Sequence, residues 1–361
     1  GKFDEAEDSL NKAIELTEDT NVSIPYENLV KCYETSCQYD KALQAQIDLI
    51  NKFGNNVTDS NIAAKLAVSA NDFDLALSYY EDARNMLIKY LKDHPGSQWA
   101  IYRLVKYYID VIECYKLSDR NDREAEQMLL TKFRRFLTKH GLRLHPKDKT
   151  KLGLPLIKKG RIPTEAREAL TEEALWEFFA DIYTDVGMFL MYTLNDFKTA
   201  LVYFTRQDVY RNYDRASATM SELNLKGDTK RHIALCYAFM GDTALATKYA
   251  KQALDWYLAN KVEEEYLANP KPRAHRITTL AQCYYLIGDN RYNEILDSLK
   301  TCPMCEYCPH SSCYEDYLIR GRLAELDKDY SNAVKYYQIA YDMAPNDCEA
   351  KLGTKRCAKF V

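Results

Sequence analysis

Apolar and small residues return every three or four positions along most of the chain, the period of a helix that buries one face. The most regular stretch is YEDYLIRGRLAELDKDYSNAVKYYQIAYDMAPND, residues 314–347. It predicts two helices joined by a short turn. With Tyr314 as position 1, large side chains fall at 4 (Tyr317), 17 (Tyr330) and 24 (Tyr337). Small ones fall at 8 (Gly321), 20 (Ala333) and 27 (Ala340). Small residues let two antiparallel helices approach closely, and aromatics fill the gap to the next pair. Pro345 stops the second helix, because it has no amide hydrogen for the ladder.

The same spacing recurs upstream with lower fidelity. Phe3, Ala6, Leu10 and Ala13 fit positions 17, 20, 24 and 27, so the chain starts at position 15 of a unit. This predicts a first repeat without its first helix, as in a piece of a longer protein. Tyr39 and Ala42 keep the frame, as do Phe73, Ala76, Tyr80 and Ala83. Further on come Phe197, Ala200 and Phe204, then Ala234, Tyr237, Ala246 and Ala253. The segment TTLAQCYYLIGDNRYNEILDSL begins in frame and drifts by two residues near Arg291. Gln98 to His140 reads as two longer helices.

This pattern resembles the tetratricopeptide repeat, a 34-residue helix–turn–helix. The resemblance implies an all-α, right-handed α-solenoid of about seven to eight helix pairs, each burying its apolar side against its neighbours. The expected organisation is N-terminal repeats over 1–141, a basic insertion over 142–163 and central repeats over 164–300. A cysteine-rich insertion follows over 301–313, then the well-formed repeat 314–347 and a capping helix 348–361 with a polar outer face. The basic insertion breaks the periodicity with Pro146, Pro155 and Pro163, after which Thr164 is placed to cap a long helix toward Leu194.

Composition supports the helical reading. Only 12 glycines and 10 prolines occur among 361 residues, and these are the residues that break helices. No apolar run approaches the ~20 residues of a membrane span. No secretory signal is visible. Net charge is −4, so the chain as a whole does not attract nucleic acid. Eleven cysteines is an odd number, which fits a reducing compartment, the cytoplasm, better than a disulfide framework. Four of them form Cys-Tyr pairs (Cys32, Cys114, Cys236 and Cys283) inside helical patterns, where a thiol packs as a small hydrophobe.

No enzyme signature is present: no phosphate-binding glycine loop, paired-histidine zinc motif or nucleophile elbow. The expected function is therefore a non-catalytic scaffold that binds a protein or peptide. The resemblance implies a concave groove lined by the first helix of each pair. Its positions carry Asn28, Lys31, Asn61, Lys65, Arg231, His232, Gln282, Tyr285 and Arg322. Amides and cations in a row can hydrogen-bond an extended peptide. The two-carboxylate clamp of chaperone-binding members is absent, since Glu27 and Lys31 are followed by Ile62 where asparagine is required.

Two other features offer alternatives. Between Lys132 and Arg161 there are eleven cations and one carboxylate, a local +10. Arg134, Arg135, Lys147, Lys149, Lys151, Lys158, Lys159 and Arg161 form a basic patch suited to an acidic partner. Nucleic acid is disfavoured, because the insertion has no aromatic on which a base could stack. The segment CPMCEYCPHSSC offers Cys302, Cys305, Cys308 and Cys313, with His310 as an alternative ligand. Four local thiolates suit one structural zinc ion, a clip rather than a catalytic centre. Free thiols, disulfides and an iron–sulfur cluster remain open on the same spacing, as does a metal- or redox-responsive regulator. The sequence does not fix the oligomeric state.

Overall fold

The computed structural model describes residues 2–17, 22–118, 122–143, 172–211, 220–259, 270–301 and 313–361, and every regular element in them is helical. Helix α1 (Phe3–Leu16) stands alone at the start. Seven antiparallel pairs follow: α2 (Ile24–Thr35) with α3 (Tyr39–Phe53), α4 (Val57–Ser69) with α5 (Phe73–Asp93), and α6 (Gln98–Leu117) with α7 (Arg123–Lys139). Next come α8 (Glu172–Met188) with α9 (Phe197–Arg211), α10 (Met220–Phe239) with α11 (Thr243–Ala259), and α12 (Pro270–Leu286) with α13 (Arg291–Asp297). The last pair is α14 (Cys313–Leu326) with α15 (Tyr330–Met343), and α16 (Cys348–Cys357) ends the array. The described residues form an all-α solenoid of stacked helix pairs. Consecutive helices pack on one another from α1 to α7, from α8 to α13 and from α14 to α16, and first helices also meet one another, α6 on α8, α10 on α12 and α12 on α14. Among the described residues no helix is long and apolar enough to cross a membrane. The helix start expected at Thr164 lies outside the described residues.

One turn design joins the helices in the α4–α5, α10–α11 and α14–α15 pairs. Asn71, Gly241 and Lys328 take left-handed φ values of 61°, 81° and 61°. The following aspartate amide then bonds back five residues: Asp72 to Ala67 at 2.8 Å, Asp242 to Tyr237 at 2.9 Å and Asp329 to Ala324 at 2.8 Å. This is the Schellman closure of a helix. The same aspartate caps the second helix, accepting from Leu75 N at 3.1 Å, Leu245 N at 3.1 Å and Asn332 N at 3.2 Å. One left-handed residue and one aspartate thus end one helix and start another.

Packing inside a pair explains the small residues. A Cβ on Gly321 would stand 2.8 Å from the Tyr337 ring. Tyr337 is itself fully buried between Ala333 and Ala340. In the α8–α9 pair Gly187 meets Phe204 in the same way, at 2.7 Å. Gly187 is ten residues before Phe197, one more than separates Gly321 from Tyr330. The extra residue is absorbed by a π-helical turn over Phe189–Thr193. There the closing bond runs back six residues, from Asp196 N to Leu190 O at 2.8 Å. The drift expected near Arg291 is also visible: α13 has only 7 residues before a 3-10 turn over Ser298–Thr301.

Helix α16 does more than cap the array. It buries Cys348, Ala350, Gly353 and Cys357 and packs on α15. Beyond that it reaches α6 and the π turn, where the Lys351 ammonium donates to the Leu117 carbonyl. The C-terminal end is therefore seated against the third pair, and the solenoid closes on itself at this seam.

Candidate functional site

The residues expected to line a groove fall into two groups. Those in the C-terminal half are inside the protein. Arg231 is 5% exposed and Gln282 1% exposed, with His232 and Arg322 also buried. They meet because successive first helices, α10, α12 and α14, bring the same face together. Arg231 Nη1 donates to Gln282 Oε1 at 3.1 Å, and Nη2 donates to Asp228 Oδ1 at 3.3 Å. The same Oε1 accepts from Arg322 Nη1 at 3.4 Å. Arg322 grips Glu349 of α16 through Nε and through Nη2, the latter at 2.6 Å, and lies over the Tyr192 ring at 4.3 Å. The Tyr257 hydroxyl donates to Asp228 Oδ1 at 2.5 Å.

This is a polar spine that ties five helices together, α10, α11, α12, α14 and α16. Burial alone would raise the Asp228 carboxyl, but the His275 hydrogen bond and the Arg231 charge hold it well below the usual carboxylate range. Burial and the Arg231 charge keep His232 neutral. Its ring stacks on Phe204 at 4.8 Å, and its Nε2 lies 3.1 Å from Arg231 Nη2, in position to accept. Arg231 and Arg322 each have carboxylate and amide partners, so the spine orders the fold, although Arg231 Nε, His232 Nδ1 and the Tyr192 hydroxyl have no hydrogen-bond partner among the described residues. Tyr285 is likewise engaged, donating to Asp327 at 2.5 Å.

The N-terminal half differs. Asn28 and Lys31 are exposed on α2, Asn61 is half-buried on α4 and Lys65 is exposed there. Lys65 sits 3.8 Å from Asp110 of α6. Asn28, Lys31 and Asn61 have no side-chain hydrogen bond or ion pair among the described residues. Residues three and four apart share a helix face. Asn28, Lys31 and Glu34 therefore form one stripe, and Asn61, Lys65 and Val68 another. Both stripes end at a cavity of about 650 Å³.

That cavity lies at the seam. One wall holds Glu34, Lys65, Tyr80, Asp110, Glu113 and Leu117, and the opposite wall holds Tyr314, Met343 and Asp347. Glu113 accepts from Thr193 Oγ1, at the end of the π turn, at 2.7 Å. Asp347 caps α16 by accepting from Ala350 N at 2.8 Å. Burial pushes the Glu113 carboxyl up to about 7, with Thr193 and Lys106 opposing and Asp110 adding to it. Burial and the Glu349 charge push Asp347 up to about 6. Burial also raises Asp110, against the pull of Lys65 and Lys106. The repeat pattern did not single out Asp110, Glu113, Tyr80 or Asp347. Asp110 and Glu113 share a face with Lys106, three and four residues apart, which is the available signal.

Of the basic patch, Arg134 and Arg135 are exposed on α7. With Thr131, Thr138, Lys139 and Arg143 they line a concavity of about 580 Å³. Lys147, Lys149, Lys151, Lys158, Lys159 and Arg161 lie outside the described residues, as do Cys302, Cys305, Cys308 and His310. Cys313 begins α14, and nothing is described of its side chain. The Cys-Tyr thiols pack as expected: Cys114, Cys236 and Cys283 are buried, and Cys32 is half-buried.

No family model and no curated protein matches the chain. Solved structures similar to it include yeast Tom70, at 11% identity and a TM-score of 0.25, covering 93% of this chain and 80% of that one. The TPR domain of P58(IPK) is similar at 10% identity and a TM-score of 0.22, covering 93% and 97%. Naa15/Naa10 bound to HypK-THB is similar at 15% identity and a TM-score of 0.23, covering 100% of this chain and 58% of that one. None of these superpositions reaches the level at which two chains follow one path. The fold therefore stands on the helix pairing, turns and glycine contacts described above.

Proposed function

We propose that the chain is a non-catalytic protein-binding scaffold, acting in the cytoplasm, that holds an extended peptide segment along the polar face of α2, α4 and α6. The observation that supports this reading is the pair of stripes Asn28–Lys31 and Asn61–Lys65, which lead into the seam cavity. Three of these four side chains have no partner within the described protein. Amides are suited to the alternating donors and acceptors of an extended backbone. The spine around Arg231 and Arg322 supplies the rigid half against which such a face is held. Replacing Asn28, Lys31 and Asn61 together by alanine tests the reading. With each hydrogen bond worth about 0.5–1.5 kcal/mol, partner affinity falls at least about tenfold while the helical content is kept. Unchanged affinity in the triple variant would sink the assignment.

A second reading is supported by the concavity on α7. None of Arg134, Arg135, Lys139 and Arg143 has an ion-pair partner among the described residues. An acidic protein segment suits it. Binding there weakens in Arg134→Glu/Arg135→Glu and leaves the α2–α4 face untouched. Affinity for single-stranded nucleic acid that falls steeply with salt would instead point to phosphate contacts.

A further inference from the structure

The seam cavity is built from charges that do not cancel. Its wall carries the carboxylates of Glu34, Asp110, Glu113 and Asp347 against the single ammonium of Lys65. Lys65 is only loosely held, 3.8 Å from Asp110 with 55% of its side chain exposed. Tyr80 adds an independent sign of a missing partner. It is 3% exposed, it lines the cavity, and its hydroxyl has no hydrogen-bond partner among the described residues. The residue lines the cavity, where a bound group can reach its hydroxyl. Tyr314 places a second phenol ring on the opposite wall.

The volume of about 650 Å³ falls in the range that holds small ligands or a large side chain. Carboxylates together with aromatic rings select a cation. Among the described residues no three of His, Cys, Asp and Glu come together as a metal ion requires. An ammonium group suits the wall better: it brings three N–H donors on a flexible stem and needs no fixed coordination. Burial gives Glu113 and Asp347 their upward push, and the charges of Lys106 and Arg322 offset it only in part.

We infer that the cavity between α4, α6 and the α14–α16 end is a binding site for an organic ammonium ion, the side chain of a partner lysine or a free amine. Asp110 and Glu113 would hold the charge and the Tyr80 hydroxyl would accept a hydrogen bond from it. The partner-lysine form rests on the proposal that α2, α4 and α6 carry a peptide. It gives that peptide a chemical identity: an extended segment with a lysine at the point where the two polar stripes converge.

Calorimetric titration of the full chain tests this with three probes: cadaverine, N-acetyl-lysine amide and N-acetyl-norleucine amide. Binding of the lysine probe supports the peptide source, and tighter binding of cadaverine supports a free amine. Asp110→Asn lowers affinity for the amines at least about tenfold. Lys65→Ala raises it, because the resident ammonium no longer competes. A residue that merely kept the fold would not give opposite signs at these two sites. Equal binding of the norleucine probe, no binding of either amine, or binding of calcium or magnesium in their place would overturn the inference. Failure of the amine titrations leaves the stripe reading standing, because the Asn28, Lys31 and Asn61 triple variant tests that independently.

Discussion

Replacing Gly353 by alanine should destabilise the C-terminal end, although alanine is the better helix former. Gly353 is in the middle of α16, where propensity alone favours alanine by about 1 kcal/mol. The ring of Tyr337 opposes this. A Cβ on Gly353 would lie 2.7–2.8 Å from Cδ2, Cε2 and Cγ of that ring. Carbon atoms rest about 3.5–4.0 Å apart, so something must give by close to 1 Å. The ring cannot retreat, because a Cβ position on Gly321 already stands 2.8 Å from it on the other side. Its hydroxyl is also fixed to Glu325 Oε2 at 2.8 Å. Overpacking of this kind costs about 1–3 kcal/mol, and a ring held on two sides belongs at the upper end, so the net loss is about 2 kcal/mol. Solenoids need not unfold in one step, so the assay is hydrogen exchange read at α14, α15 and α16, beside denaturant unfolding of the whole chain. The variant should exchange faster at those three helices and at the end of α6, to which α16 is docked, and not at α2–α5. Tyr337→Leu in the same chain should remove most of the penalty of the glycine change, a coupling of about 1–2 kcal/mol. A Gly353→Ala chain about 1 kcal/mol more stable than the parent would refute the packing argument, because propensity would then be the only force at work.

The carboxyls at the seam set a pH dependence. Glu113 is raised in the folded chain, so its protonation adds stability that is present at low pH and lost as pH rises through about 7. Between pH 6.5 and 8 the parent should lose more thermal stability than Glu113→Gln, and parallel curves would contradict this. His232 is held neutral in the fold and acts in the opposite sense below the usual histidine range, so the comparison is made above it. Arg231→Ala should cost about 3–5 kcal/mol by leaving Asp228 without its guanidinium, and Arg231→Met less, as measured by chemical unfolding. A nearly neutral Arg231→Met would show that the spine contributes packing alone. On spacing alone, Cys302, Cys305, Cys308 and Cys313 are expected to hold one zinc ion per chain. Elemental analysis should find it, and Cys305→Ser should lose it and loosen 314–361 before 1–260. A metal-free native chain would end that reading.

The helix pairs were legible because their packing is local in sequence. Gly321, Ala333, Tyr337 and Ala340 touch one another within a single unit, so their spacing reports the contact. The turns were equally readable: Asn71-Asp72, Asn195-Asp196, Gly241-Asp242, Gly288-Asp289 and Lys328-Asp329 repeat one left-handed residue and one aspartate. The one-residue excess between Gly187 and Phe197 was visible in the spacing, but that it becomes a π turn aimed at Glu113 was not.

The candidate site was only half legible. Register placed Arg231, Gln282 and Arg322 on the helix face expected to line a groove, and in the structure that face is buried. It could not say that this side is closed, because closure depends on Glu349 and Lys351 of α16 meeting residues from elsewhere in the array. The contact between Lys351 and Leu117 spans 234 residues and leaves no periodic trace. The seam cavity has the same origin. Asp110 looks like a solvent-facing acid until the far end of the chain is folded over it.

Site-specific photocrosslinking tests the central claim most directly. A photoreactive residue is placed in turn at Asn61 on the proposed binding face, at Arg134 on the basic concavity and at Asp82 on the exposed side of α5. In the cell of origin, position 61 should give one dominant adduct, competed by a lysine-bearing peptide, position 82 should give none, and any adduct at 134 should be a different one that the peptide does not compete. Adducts through 82 or 134 with nothing at 61 would contradict the account.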